Sequence, residues 1–140
     1  MLELRLSELA QNLGVACESG DAVVTGLATD SRAVKPGDLF VAIDGEHVDG
    51  HDFIDNALDN GAAAIACTRP INVAAPHIKA VDSYQVCAIF GQLIRGRFRG
   101  SVIGITGSAG KTTAKSFLES ICGRAGPTVA TLGNQNNELG

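Results

Sequence analysis

Residues 101–113, Ser-Val-Ile-Gly-Ile-Thr-Gly-Ser-Ala-Gly-Lys-Thr-Thr, hold the side chains best placed to do chemistry. Gly107 and Gly110 carry no Cβ, so the backbone around Ser108 and Ala109 can curl with its N–H groups inward and approach a phosphate closely. Lys111 follows as a mobile point charge able to reach β- and γ-phosphate oxygens, and the short Thr112 hydroxyl suits a magnesium ligand. Thr113 is a second phosphate contact. These types in this order describe a phosphate-binding loop.

Such a loop works only between a strand and a helix, because the helix N-terminus adds its positive end to the cradle. Val102, Ile103 and Ile105 predict a buried strand before the loop. Phe117, Leu118 and Ile121 recur at helical spacing after it. The match to G-x-x-x-x-G-K-[ST] is incomplete, since position 105 is isoleucine where that pattern has glycine. The flanking strand and helix supply the context that the shortened loop needs.

The chain has 140 residues, 45% of them apolar, enough for one domain or a small domain with part of another. Its net charge of −4 and pI near 5.2 give no global basic field to attract nucleic acid or an anionic membrane, so an anionic ligand must be held by local groups. Cys17, Cys67, Cys87 and Cys122 are widely spaced with no C-x-x-C pair, which predicts reduced, mostly buried thiols of a cytoplasmic protein. No run of 18 apolar residues and no export signal occurs, so membrane insertion is not expected.

Apolar periodicity predicts an α/β unit over residues 1–99 and the start of a second domain over 100–140. Ser7 before Glu8–Leu13 and Gly14 reads as a capped helix. Strands are expected at 22–25, 38–43, 62–67 and 78–81, with Lys35-Pro-Gly-Asp38 a turn. Helices are expected around Phe53–Leu58, ending at Asn60-Gly61, and over 83–98 with Val86, Ile89, Phe90, Leu93 and Ile94 inward. Arg95-Gly-Arg-Phe-Arg-Gly100 reads as a solvated boundary near a helix C-terminus, where cations are favourable. A strand at 128–131 follows the loop and its helix. Residues 101–140 hold too few strands to complete a parallel sheet, so the chain reads as the front portion of a longer protein.

Three segments together resemble the Mur ligases of bacterial cell-wall synthesis: Asp30-Ser-Arg through Ile43 with Gly45-Glu-His-Val-Asp-Gly-His-Asp-Phe-Ile54, Gly104–Thr113, and Thr131-Leu-Gly-Asn-Gln-Asn-Asn-Glu-Leu-Gly140. The resemblance implies a small N-terminal UDP-binding domain followed by the beginning of a P-loop, Rossmann-like ATPase domain. It makes Ser31 and Arg32 contacts to the uridine diphosphate, whose oxygens suit a hydroxyl and a guanidinium. Glu46 and His47 would border the uracil. Asn134, Asn136 and Asn137 would lie between the ATP phosphates and the peptide.

By the same resemblance residues 107–113 bind ATP, Lys111 acts catalytically and Thr112 holds magnesium. The implied reaction is ATP-dependent addition of D-alanyl-D-alanine to UDP-N-acetylmuramoyl-tripeptide through an acyl phosphate, by an enzyme monomeric at full length. Ser108-Ala109 in the loop and the closing Gly-Asn-x-Asn-Asn-Glu-Leu-Gly favour that family member. The related addition of a third amino acid to UDP-N-acetylmuramoyl-dipeptide remains an alternative. So do a P-loop kinase and a noncatalytic UDP-sugar-binding module.

Asp30, Asp44, Asp49 and Asp52 with His47 and His51 could suggest a metal. Gly50 and the Asp-Gly turn argue against a rigid helical pair, and capping accounts for the aspartates. His77 reads as a strand-edge residue.

Overall fold

A computed structural model describes residues 3–45 and 48–131. The chain divides into two compact units, Met1–Phe98 and Arg99–Gly140. In the first unit, strands β1 (Leu4–Arg5), β2 (Cys17–Glu18), β3 (Val23–Val24), β4 (Gly26–Ala28), β5 (Asp38–Val41), β6 (Ala64–Cys67) and β7 (His77–Lys79) alternate with helices α1 (Leu6–Leu13), α2 (Ile54–Asp59) and α3 (Ser83–Arg97). Short 3-10 helices occupy Ser31–Ala33 and Gly50–Phe53.

The main sheet has the order β2-β7-β6-β5-β4. Strands β4 to β7 are mutually parallel, and β2 closes one side antiparallel to β7. Parallel strands need both faces covered, and β5 and β6 are buried at every residue. Their side chains alternate between two cores. Leu39, Val41, Ala64 and Ala66 join Leu6, Leu9, Val86 and Phe90 from α1 and α3 on one face. Phe40, Ala42 and Ile65 join Ile54 and Ala57 from α2 on the other. The register sets Leu39 and Val41 opposite Ala64 and Ala66, so large side chains meet small ones.

Several details depart from the sequence reading. Helix α1 starts at Leu6, and Ser7 does not cap it. The Asp21 carboxylate does that work from the following segment, accepting from the Ser7 N–H at 2.9 Å and the Ser7 hydroxyl at 2.8 Å. Those bonds hold its pKa below the usual carboxylate range, the Ser7 backbone N–H contributing most. His77 opens an interior strand; it is buried, with Nδ1 3.0 Å from the Ala75 carbonyl and Nε2 3.3 Å from Glu18. Of the cysteines, Cys67 is buried and the other three are half-buried. Burial pushes the Cys67, Cys87 and Cys17 thiols up.

Two of the boundary arginines have internal partners. Arg97 pairs with Glu8 and donates to the Glu3 carbonyl, and Arg95 lies 5.9 Å over the Phe98 ring. At its other end α3 is fixed by the buried Ser83 hydroxyl, which donates to the Ala42 carbonyl at 3.0 Å.

In the second unit, helix α4 spans Lys111–Ala125, as the spacing of Phe117 and Ile121 predicts. The strand expected from Val102, Ile103 and Ile105 and that at 128–131 are absent among the described residues, because a strand exists only where a neighbour accepts its backbone bonds. Val102, Ile103, Phe117 and Ile121 are correspondingly exposed, and Leu118 is half-buried. No helix among the described residues is long and apolar enough to cross a membrane.

Candidate functional site

A cavity of about 710 Å³ opens at the carboxyl ends of β4 and β5, where open parallel sheets place their ligands. Phe40 and Ile43 from β5 and its extension meet Val48 and Phe53 to form its apolar surface. Thr29, Asp30, Ser31 and Arg32, which follow β4, bring polar groups to it. Gly50 also lines it. A Cβ there would stand 2.6 Å from Ile43 N and 2.9 Å from Ile43 O, so only glycine lets the two backbones approach.

Ser31 and Arg32, expected in one site, are brought together here. Ser31 is buried in the 3-10 turn, whereas Arg32 is exposed. Asp30 both caps the turn, accepting from Arg32 N at 3.0 Å, and grips the guanidinium edge through Nε at 3.0 Å and Nη2 at 2.7 Å. The grip fixes the planar fork and leaves Nη1 available to an anion. The Arg32 side chain, then its backbone N–H, lower the Asp30 pKa to about 2. The Asp30 carboxylate raises that of Arg32 in return.

A second network holds the loop beside the cavity. Asp44 and Asp49 pair as an isolated antiparallel bridge, and Gly45 N–H donates to the Val48 carbonyl at 3.1 Å. Buried His51 receives the Thr68 backbone N–H on Nε2 at 3.1 Å. That nitrogen must accept, so the proton of the neutral ring sits on Nδ1 and is donated to Asp49 at 2.7 Å. Arg69 pairs with Asp49 at 2.5 Å, and the Thr68 hydroxyl donates to Asp44 at 2.7 Å.

Asp44, Asp49 and His51 therefore converge, with ligand atoms within 4.8 Å of one another, a geometry that spacing did not foretell. Both His51 nitrogens already have hydrogen-bond partners, which accounts for the cluster structurally. The capping expectation holds for Asp30 and Asp49, whose carboxylates accept from Arg32 N and His51 N.

The His51 N–H, followed by the His51 ring and Arg69, holds the Asp49 pKa at about 2. Stability contributed by Asp30 and Asp49 is thus fully present above about pH 4, where unfolded aspartates ionise, and is lost as pH falls through about 2. Carboxyl 13C NMR should give both side chains titration midpoints near 2. Midpoints near the ordinary value of about 3.9 would contradict these contacts.

In the second unit Gly110 has φ +78°, the left-handed conformation that favours glycine, and ends the loop as the cap of α4. It supplies no side-chain cap, so the first-turn N–H donors of α4 are open to a ligand. Lys111 bends back to the Gly107 carbonyl, while Thr112 and Thr113 present exposed hydroxyl-bearing side chains. The Thr112 carbonyl accepts from the Ser116 hydroxyl at 3.1 Å and the Lys115 amine reaches the Thr131 carbonyl at 2.6 Å. Backbone donors, an amine and a hydroxyl at one helix N-terminus fit a magnesium-bound polyphosphate. Glu46, His47, Asn134, Asn136 and Asn137 lie outside the described residues.

Sequence reasoning missed Phe40, Val48, Phe53 and Asn56 as cavity residues, and it missed Thr68 and Arg69 altogether. The cavity residues come from separate segments: Phe40, Val48 and Phe53 lie within the segments that carry the resemblance, and Asn56 lies just beyond them.

The family described as "Mur ligase family, catalytic domain" matches residues 23–97, and "Mur ligase middle domain" matches residues 105–140. The UDP-N-acetylmuramoyl-tripeptide--D-alanyl-D-alanine ligase of Escherichia coli strain K12 is 34% identical over all of this chain and 31% of its own length. A UDP-N-acetylmuramoyl-L-alanyl-D-glutamate--2,6-diaminopimelate ligase of Geobacillus thermodenitrificans is 37% identical over 86% of this chain and 25% of its own. Among solved structures, the MurF of Acinetobacter baumannii superposes with a TM-score of 0.82 at 31% identity, covering 99% of this chain and 32% of that one. MurF of Thermotoga maritima in complex with ADP gives 0.69 at 38% identity, covering 84% of this chain and 27% of that one. The chain thus spans a quarter to a third of the length of these relatives.

Proposed function

The chain belongs to the Mur ligase family, and from that membership we propose that it forms the front portion of a cytoplasmic ligase joining D-alanyl-D-alanine to UDP-N-acetylmuramoyl-tripeptide with ATP. In this reading residues 1–99 recognise the UDP end of the sugar-peptide, and residues 100–140 begin the ATP-binding domain. The observation that carries it is the cavity at the ends of β4 and β5, with an apolar surface for a base and Arg32 held in place for phosphate. The identity with the tripeptide ligase of Escherichia coli over the whole chain supports the choice of reaction.

Residues 107–113 would hold the ATP phosphates. The terminal carboxylate of the tripeptide takes the γ-phosphoryl group, ADP leaves, and the amine of D-alanyl-D-alanine then displaces phosphate to form the peptide bond. Lys111 offsets negative charge on the transferring phosphoryl oxygens. Magnesium, held in part by Thr112, would supply further charge neutralisation there. Glu46, His47, Asn134, Asn136 and Asn137 keep their expected substrate contacts in this proposal. The ADP complex of the Thermotoga maritima relative supports nucleotide binding.

Addition of the third residue to UDP-N-acetylmuramoyl-dipeptide is the second reading, favoured by the 37% identity with the diaminopimelate-adding ligase. The cavity serves both, because both substrates carry UDP.

Titration calorimetry with UDP-N-acetylmuramoyl-tripeptide tests the proposed site. Arg32→Ala should weaken binding roughly tenfold by removing one exposed charge-assisted contact. Unchanged affinity would remove Arg32 from the site, and no binding by the unaltered chain would remove the site itself.

A further inference from the structure

Asn56 brings an amide from α2 to the cavity. Its orientation follows from its neighbours. Asn60 Nδ2 lies 2.9 Å from the Ser31 carbonyl oxygen, which can only accept, so this end of the Asn60 amide is its NH2 group. The same nitrogen lies 3.4 Å from Asn56 Oδ1. The oxygen of Asn56 is therefore engaged by a donor, and its Nδ2 is the end left free. Among the described residues no group accepts from Asn56 Nδ2.

Resting on the reading that this cavity takes the UDP end of the substrate, we propose that Asn56 selects uracil over cytosine by donating from Nδ2 to the 4-keto oxygen. Ile43, Val48 and Phe53 offer apolar surface to the faces of a planar ring but cannot tell one pyrimidine from another. The distinction lies at the ring edge. Uracil presents an acceptor at position 4, and cytosine presents an amine donor there. An amide with its oxygen already engaged welcomes the first and opposes the second.

Position 4 is the polar group farthest from N1, which carries the ribose and phosphates. Asn56 stands on α2, a different element from the 3-10 turn that holds Arg32 for those phosphates. Asn60 links the two walls through the Ser31 carbonyl, so it is a positioning residue for both.

The test is calorimetric titration of the 140-residue chain with UDP and with CDP, which share the ribose and both phosphates. The expected preference for UDP is about tenfold, the worth of one hydrogen bond made against one opposed. Asn56→Leu should bring the ratio to about one. Asn56→Asp, an acceptor at the same place, should reverse it. General loosening of the fold weakens both ligands and leaves the ratio in place, so the ratio separates recognition from structure.

A wild-type ratio near one, or a ratio unaltered by Asn56→Leu, overturns the assignment; a contact to O2, which both bases share, would give the latter. If UDP binds and Arg32→Ala weakens it while the ratio ignores Asn56, only this inference fails. If neither nucleotide binds, the reading of the cavity fails with it.

Discussion

Lys111→Ala in the full-length ligase should lower ATP-dependent turnover roughly 10²- to 10³-fold, the usual consequence of removing one preorganised group that stabilises transition-state charge. The side chain sits at the first position of α4, directly after Gly110, and its amine folds onto the Gly107 carbonyl of the same loop. A phosphate placed in that loop would take over the amine without displacing any other side chain. Alanine is a strong helix former, so α4 should persist, and circular dichroism of the variant should match the parent. Turnover read by phosphate release within about threefold of the parent would show that the loop does not hold the reacting phosphate.

Phe40→Ala should destabilise the first unit by about 3–5 kcal/mol. Phe40 is 1% exposed and packs with Val34, Ala42, Ile54, Ala57 and Ile65 beneath α2. Total stabilities of domains are only about 5–15 kcal/mol, so the variant should be largely unfolded at modest urea concentrations. Its urea midpoint should fall with an unchanged slope. Phe40 also lines the cavity, so nucleotide affinity should drop along with stability. A loss below about 1 kcal/mol would mean that the α2 face of the sheet is not a cooperative core.

The parts legible in the sequence are those where local pattern and tertiary burial agree. The strands expected at 38–43 and 62–67 form at Asp38–Val41 and Ala64–Cys67, where both faces of a parallel sheet are covered and the apolar run is continuous. Helix α3 was legible from the spacing of Val86 and Phe90, and α4 from that of Phe117 and Ile121. The cap of α1 was not. Asp21 reaches Ser7 from fourteen residues away, and a cap assembled by tertiary contact leaves no local signature.

The same reasoning separates the glycine loop of the second unit from the cavity of the first. Gly107, Gly110 and Lys111 fall within five consecutive residues, so the loop they form is a local pattern. The cavity draws Phe40, Val48 and Asn56 from three segments, and His51 meets Thr68 across seventeen residues. Ser31 and Arg32 were named through the resemblance carried by the Asp30-Ser-Arg32 segment. Asp30's grip on Arg32 and the direction of the Asn60–Asn56 pair are matters of side-chain geometry that no spacing rule carries.

Product analysis of the full-length ligase tests the central claim most directly. Given ATP, magnesium, UDP-N-acetylmuramoyl-tripeptide and D-alanyl-D-alanine, it should form the UDP-linked pentapeptide with one ADP released per peptide bond. Supplied instead with UDP-N-acetylmuramoyl-dipeptide and a diamino acid, it should form no product. Tripeptide from the second mixture and no pentapeptide from the first would contradict the account and assign the chain to the third-residue ligase.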